Sequence, residues 1–270
     1  MTTAAHNTLP PARSLPHFKV FSSCFSPDDR VMVLTTTNNH ILKVDTRTMK
    51  AESSAALKEE KYVLNHVVVG ADSRHVFVAT NAGEVAVFDL DRMERREVRL
   101  DCDPDAERVF PDQRLRMAGH PNAALTVSID HVHSRLLSGG QDSIVNIWDI
   151  PTATCLHAVD ELSERVRGTG FSHDGEYFCA GDGIPFSGSN VERNAGGTAG
   201  GRNNFKLVIG ESATGRVLHT LPLDGMGMRD CCWNPVRNAL AYSFERPVEE
   251  IDRLGRKTLA YDSCVRVIGM

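Results

Sequence analysis

Gly139-Gly140-Gln141-Asp142-Ser143, followed by Ile144-Val145-Asn146-Ile147-Trp148-Asp149, decides the fold of this chain. The Gly, Asp and Ser residues mark a tight turn, and the flanking segments alternate apolar and small residues as short strands do. Upstream, Gly119-His120 stands at a distance that permits a specific test. A His near the innermost strand of a four-stranded blade can reach a Ser in the second strand, an Asp in the next turn and a Trp in the third strand. Here these are His120, Ser138, Asp142 and Trp148. Four polar groups that satisfy one another are buried at little cost and hold the strands in register. The constellation is structural: it specifies a blade, not a reaction.

Working outward, the same landmarks recur. Inner strands are expected to end at Phe25, Val69, Ile129, Phe171 and Trp233, each followed by turn residues. Third strands are expected to end at Val44-Asp45, Phe88-Asp89, Trp148-Asp149, Ile209-Gly210 and Ile268-Gly269. The intervals 25 to 44, 69 to 88 and 129 to 148 are each 19 residues, a constancy that signals an internal repeat. Gly-His at one end and Trp-Asp at the other are the signature of a WD40 repeat. The expected class is therefore all-β, a WD40 β-propeller with five recognisable four-stranded blades, read as an incomplete seven-bladed propeller. The expected divisions are an extended Pro-containing arm over 1–17, then blades at about 18–58, 59–100, 113–160, 161–221 and 222–270.

Composition narrows the function classes. An apolar content of 41% and a net charge of −5 suit a globular protein and argue against unaided nucleic-acid binding, which calls for a basic footprint. The seven cysteines contain no C-x-x-C pair, so neither a disulfide framework nor a zinc site is expected, and cytosol or nucleus fits. No apolar run reaches membrane-span length, and the first 17 residues lack the order of a secretory signal.

The fourth and fifth repeats are longer, at 38 and 35 residues between landmarks, and a further excess precedes the third. Three insertions result: 98–117, 184–204 and 245–261. Up-and-down strands are expected to place all three on one face, where long loops on a rigid scaffold concentrate binding. Arg114, Arg116, Arg246 and Arg253 are the candidate partner contacts.

Chemical readings of the other motifs are weaker than structural ones. Gly196, Gly201 and Arg202-Asn203 imitate a phosphate loop but lack its Lys and its hydroxyl. His131-x-His133 would be half of a metal site, yet it falls in a turn with no third ligand near in sequence. Cys231-Cys232 alternates across a strand and reads as ordinary burial. Ser138, His120 and Asp142 mimic a hydrolase triad, but no G-x-S-x-G elbow surrounds any Ser, and Trp148 accounts for the trio. The carboxylates Glu249, Glu250 and Asp252 alternate with Arg246, Arg253, Arg256 and Lys257 as in a solvated loop. No catalytic residue, cofactor or metal ligand is expected, and the chain reads as no enzyme.

From about Phe25 to Met270 the chain resembles the C-terminal five blades of the family of WD-repeat subunit 3 of the THO complex. The resemblance is carried by several stretches in order: Phe25-Ser26-Pro27-Asp28, Asn81-Ala82-Gly83, His120-Pro121-Asn122, Gln141 to Asp149, Arg165-Val166-Arg167 with Phe171-Ser172-His173-Asp174-Gly175, Trp233-Asn234-Pro235, and Val265 to Gly269. The family's first two blades have no counterpart, and the Gly-rich insertion departs from its pattern. The resemblance implies a nuclear, non-enzymatic scaffold in co-transcriptional messenger-ribonucleoprotein assembly and mRNA export. It would dock onto larger helical subunits and meet RNA only indirectly. The alternative is a generic WD40 substrate-recognition adaptor in ubiquitin ligation or signalling.

Overall fold

The computed structural model describes residues 19–56, 63–95, 116–183, 205–223, 227–251 and 257–269. Among these there is no helix, and the strands form five antiparallel sheets. Blade one holds β1 (Val20–Phe25), β2 (Val31–Thr36), β3 (His40–Asp45) and β4 (Lys50–Ala56). Blade two holds β5 (Leu64–Val69), β6 (His75–Thr80), β7 (Glu84–Asp89), β8 (Glu94–Arg95) and β9 (Arg116–Ala118). Blade three holds β10 (Ala124–Asp130), β11 (Arg135–Gly140), β12 (Val145–Asp149) and β13 (Thr154–Val159). Blade four holds β14 (Val166–Phe171), β15 (Tyr177–Asp182), β16 (Phe205–Glu211) and β17 (Val217–Leu223); blade five holds β18 (Met228–Trp233), β19 (Ala239–Ile251) and β20 (Lys257–Gly269).

Each sheet is a meander of neighbouring strands, and the hydrophobic core lies between sheets. Val33, Ile41, Val67, Val76 and Phe88 fill the space between blades one and two. Phe77, Val85, Leu136 and Trp148 fill the next space. Ile147, Val166 and Phe178 fill the third, and Phe205, Leu207, Trp233, Leu240 and Phe244 the fourth. A blade therefore buries its two faces only against its neighbours, as repeat architectures do. Side chains near the axis tie each pair. Val67 N–H donates to Ser22 Oγ at 3.2 Å, Asn65 Nδ2 to the Ala124 carbonyl at 2.7 Å, Ser128 Oγ to Thr169 Oγ1 at 3.1 Å, and Trp233 Nε1 to the Gly170 carbonyl at 3.2 Å. The inner strands pack in the order β1, β5, β10, β14, β18, and among the described residues no comparable packing joins β18 back to β1.

All five inner strands share one irregularity. Their register with the second strand shifts between first and third residues: Val20/Ser22, Leu64/His66, Ala124/Thr126, Val166/Gly168 and Met228/Asp230. A bulge re-aims the extra side chain and sharpens the local twist. It puts Phe21, Asn65, Leu125, Arg167 and Arg229 at equivalent positions around the axis.

Two sequence expectations about the insertions are corrected. Segment 98–117 does not simply join two blades. β8 and β9 both pair with β7, through Phe88↔Arg95 and Ala86↔Arg116, so the chain leaves and re-enters in the middle of one outer strand, at the rim. Segment 245–261 is largely a paired arm, not a loop: β19 and β20 stay in register from Ala239↔Gly269 to Ile251↔Lys257. Because β18 pairs only as far as Phe244, the arm extends β19 and β20 beyond the inner strand. Segment 184–204 lies outside the described residues. Segments 184–204 and 245–261 both follow second strands, whereas the chain departs from and returns to the outer strand of blade two between β8 and β9.

Candidate functional site

The structure brings His120, Ser138, Asp142 and Trp148 into one hydrogen-bonded chain. His120 sits in the connection before β10 rather than within it. Trp148 Nε1 donates to Ser138 Oγ at 2.9 Å, Ser138 Oγ lies 2.8 Å from His120 Nε2, and His120 Nδ1 lies 3.0 Å from Asp142 Oδ2. The protons can run in one direction, Trp148 to Ser138 to His120 to Asp142, so every donor finds an acceptor. Asp142 Oδ1 also accepts the Ile144 N–H at 3.2 Å, which fixes the turn. Gly140 is required here, because a Cβ would run into the Asp142 carboxylate and His120 Nδ1. A Cβ at Gly119 would stand 2.6 Å from the Trp148 ring. With Ser138 buried and occupied on both sides, its hydroxyl is not presented to a substrate.

Other blades meet the same need differently. The last residue of the second strand is Thr36, Thr80, Gly140 and Asp182 in blades one to four. Thr36 Oγ1 and Thr80 Oγ1 span their own turns by donating to the carbonyls of His40 at 3.3 Å and Glu84 at 3.0 Å. Asp182, fully buried, accepts N–H bonds from Ser163 at 2.9 Å, Glu164 at 3.0 Å and Lys206 at 2.5 Å. Sequence reading missed Asp182; its only signal is an acidic residue where a small one is usual.

Arg114 and Arg253 lie outside the described residues. Arg116 opens β9 in blade two, opposite Ala86, and Arg246 lies in β19 of blade five, opposite Asp262. Glu249 and Glu250 lie in β19 opposite Leu259 and Thr258, in a strand rather than a loop. His133 Nδ1 meets Asp130 Oδ2 at 2.9 Å in the turn after β10, and His131 is exposed. Among the described residues no group of three side chains is arranged for a metal ion. Cys231 and Cys232 do alternate, but Cys232 is exposed; Cys231 packs its thiol 3.5 Å from Cys179. That contact and burial push the Cys231 thiol well above its ordinary range.

One concave feature went unread in the sequence. A cavity of about 390 Å³ runs along the axis and is lined from all five inner strands, including Cys24, His66, Ser128, Arg167, Thr169 and Asp230. Two buried polar atoms in it have no partner, His66 Nδ1 and Arg167 Nε. Burial pushes the His66 ring below its ordinary value of 6.5, partly opposed by the Asp230 charge and a backbone bond at Val127. Burial also lowers Arg167, helped by the like charges of Arg165 and Arg229. No periodicity signals this site, because its polar residues come from strands far apart in sequence.

Comparison with known proteins agrees with this architecture. Residues 112–149 match the family model of the WD domain, G-beta repeat. The chain is 22% identical over 244 residues to THO complex subunit 3 of Arabidopsis thaliana, covering 82% of this chain and 70% of that protein. A chain of the Kuenenia stuttgartiensis hydrazine synthase superposes with a TM-score of 0.70 at 15% identity, covering 99% of this chain and 66% of that one. At that identity the likeness shows the fold alone. The matched repeat, the tetrad within it and the five antiparallel sheets around it are consistent with the fold of a WD40 β-propeller.

Proposed function

We propose that this chain is a protein-interaction scaffold of the THO subunit 3 kind, acting in the nucleus in co-transcriptional mRNP assembly and mRNA export. The observation that supports it is the likeness to THO complex subunit 3 spread over 82% of the chain, well beyond the one repeat that any WD40 protein would match. The rigid stack of sheets suits a platform, and the insertions at its edge and side supply recognition elements. The Ser138-His120-Asp142 trio is committed to Trp148 and to turn geometry, which favours scaffolding over hydrolysis.

Helical THO subunits are the expected partners, with RNA met only through them. Affinity purification of the tagged full chain from its own cells tests this. Recovery of helical THO subunits in fixed ratio is the expected result. Recovery of a ubiquitin-ligase core in their place would overturn the reading and establish the adaptor role instead.

A further inference from the structure

Blades four and five bring two free thiols together. Cys179 lies in β15 opposite Gly170 of β14, and Cys231 lies in β18 opposite Tyr242 of β19. They are 52 positions apart in sequence, yet their sulfurs stand 3.5 Å apart, with Cys179 Sγ–H donating to Cys231 Sγ. Cys179 belongs to the apolar cluster that joins the two blades, and Cys231 packs against it. Strand pairing fixes both backbones, so a bond between the sulfurs would cross from one blade to the next. The remaining approach, down to the about 2.05 Å of a disulfide, is a matter of side-chain rotation.

The surroundings leave room for that rotation and a route to one of the sulfurs. β14 passes over the pair with glycine at both places. A β-carbon at Gly168 would stand 3.5 Å from Cys231 Sγ, and one at Gly170 would stand 3.6 Å from Cys179 Sγ. Cys179 is fully buried, whereas Cys231 is partly exposed and lines the axial cavity of about 390 Å³, ample for water or a peroxide molecule. A dissolved oxidant therefore meets one sulfur with the other directly behind it. Burial and the Cys179 contact keep the Cys231 thiol protonated at neutral pH, and a thiol reacts far more slowly than a thiolate. The pair stays reduced in a reducing compartment and answers only to sustained oxidation.

We propose that Cys179 and Cys231 form a latent disulfide site, closed by hydrogen peroxide into a covalent staple between blades four and five. In the first step peroxide oxidises the Cys231 thiol to a sulfenic acid and is itself reduced to water. In the second the Cys179 sulfur attacks the Cys231 sulfur: the S–O bond breaks, the S–S bond forms, and the hydroxyl leaves as water with the Cys179 proton. Two thiols and one hydrogen peroxide thus give one disulfide and two waters. The staple falls where the fold has most to gain. Among the described residues the inner strand of blade five packs on β14, with no comparable packing of β18 on β1. A link closing so long a loop restricts the unfolded chain and holds the last blade in place. The site is independent of which partners the scaffold binds.

The test uses the full chain carrying Cys155→Ser and Cys232→Ser, which removes two exposed thiols that would otherwise pair between molecules. The chain is incubated with excess hydrogen peroxide, its remaining thiols are blocked, and a tryptic digest made without reductant is read by mass spectrometry. The expected product joins fragments 168–193 and 230–237, whose only cysteines are then Cys179 and Cys231, and reductant abolishes it. The oxidised chain should melt about 5 °C or more above the reduced chain. Cys231→Ser in the same background should show neither the linked fragments nor the rise. The linkage is read on the parent chain, so poor folding of Cys231→Ser would leave that result standing. No linkage, or linkage through other cysteines with these two left free, would overturn the site. Linkage with an unchanged or lowered melting temperature, or a rise that persists in a folded Cys231→Ser chain, would overturn the staple.

Discussion

Blades three and five each contain one of the chain's two tryptophans, and they use it in opposite ways. Trp148 donates inward to Ser138 within its own blade, and the bond is one link of a buried chain ending at Asp142. Trp233 donates outward to the Gly170 carbonyl of blade four. Blade three thus carries its own register lock and four paired strands. Among the described residues blade five has three strands, and an aromatic set of Trp233, Tyr242 and Phe244 packs it onto its neighbour. β20, last in the sheet order among the described residues, presents Val265 and Val267 at 70% and 71% exposure. The same indole N–H must be satisfied in both places. The difference is whether the bond stiffens a blade or joins two.

The contrast breaks most visibly at Asp142. Asp142→Ala strands His120 Nδ1 in a buried site and should destabilise the protein by about 2–4 kcal/mol, measured by denaturant unfolding. An unchanged midpoint would mean that blade three does not depend on its polar chain. Trp233→Phe keeps most of the packing and forfeits one bond to a carbonyl, so a loss of about 1 kcal/mol is expected. If it costs as much as Asp142→Ala, the joining bond matters as much as the internal lock.

At the edge, Val267→Lys should leave the melting temperature nearly unchanged and reduce concentration-dependent association in sedimentation velocity, because charge on an edge strand discourages pairing. Association that persists unaltered would place the contact elsewhere. This experiment also bears on the expectation of an open arc of blades, since a chain that stays monomeric and melts in one sharp transition argues for closure.

Acidification should separate the channel from the blades. The folded state depresses the His66 pKa below 6.5, so the unfolded chain binds more protons as pH falls through that value. The stability associated with the neutral ring is complete above about pH 6.5 and is lost progressively below it. His66→Gln should flatten that part of a pH-stability profile. A slope that survives the substitution would assign it to other groups.

The smallest effect is expected in the turn of the deciding stretch. Ser143 has a φ of 68°, the left-handed region that Gly83 occupies in blade two at 79°. Ser143→Gly should therefore be neutral or stabilising by up to about 1 kcal/mol in thermal unfolding. A clear loss would show that the serine side chain contributes to the turn.

Much of blade three was legible because its information is local. Turn chemistry, alternation and the spacing from His120 to Trp148 all lie within 29 residues, and polar groups that must be buried together leave a recognisable pattern. Blades one and two were legible through the constant interval of 19 residues, although their register devices, Thr36 and Thr80, are too common a residue type to be noticed. The arm of blade five was misread as a loop because alternating charges in β19 and β20 look solvated whether or not the backbone pairs.

By itself, then, the sequence determined an all-β chain of repeated strand units, the turns of blades one to three, and the four residues of the buried chain in blade three. These follow from period-two patterning and from the strict needs of buried polar atoms, which act over short separations. Only the tertiary structure decided that segment 98–117 interrupts an outer strand, that β19 and β20 extend past the inner strand, and that His66, Arg167 and Asp230 meet around one axis. The reason is physical: the channel is lined by residues spread from Cys24 to Cys231, one strand from each blade, and their meeting depends on how sheets stack, a property that no local stretch of chain contains.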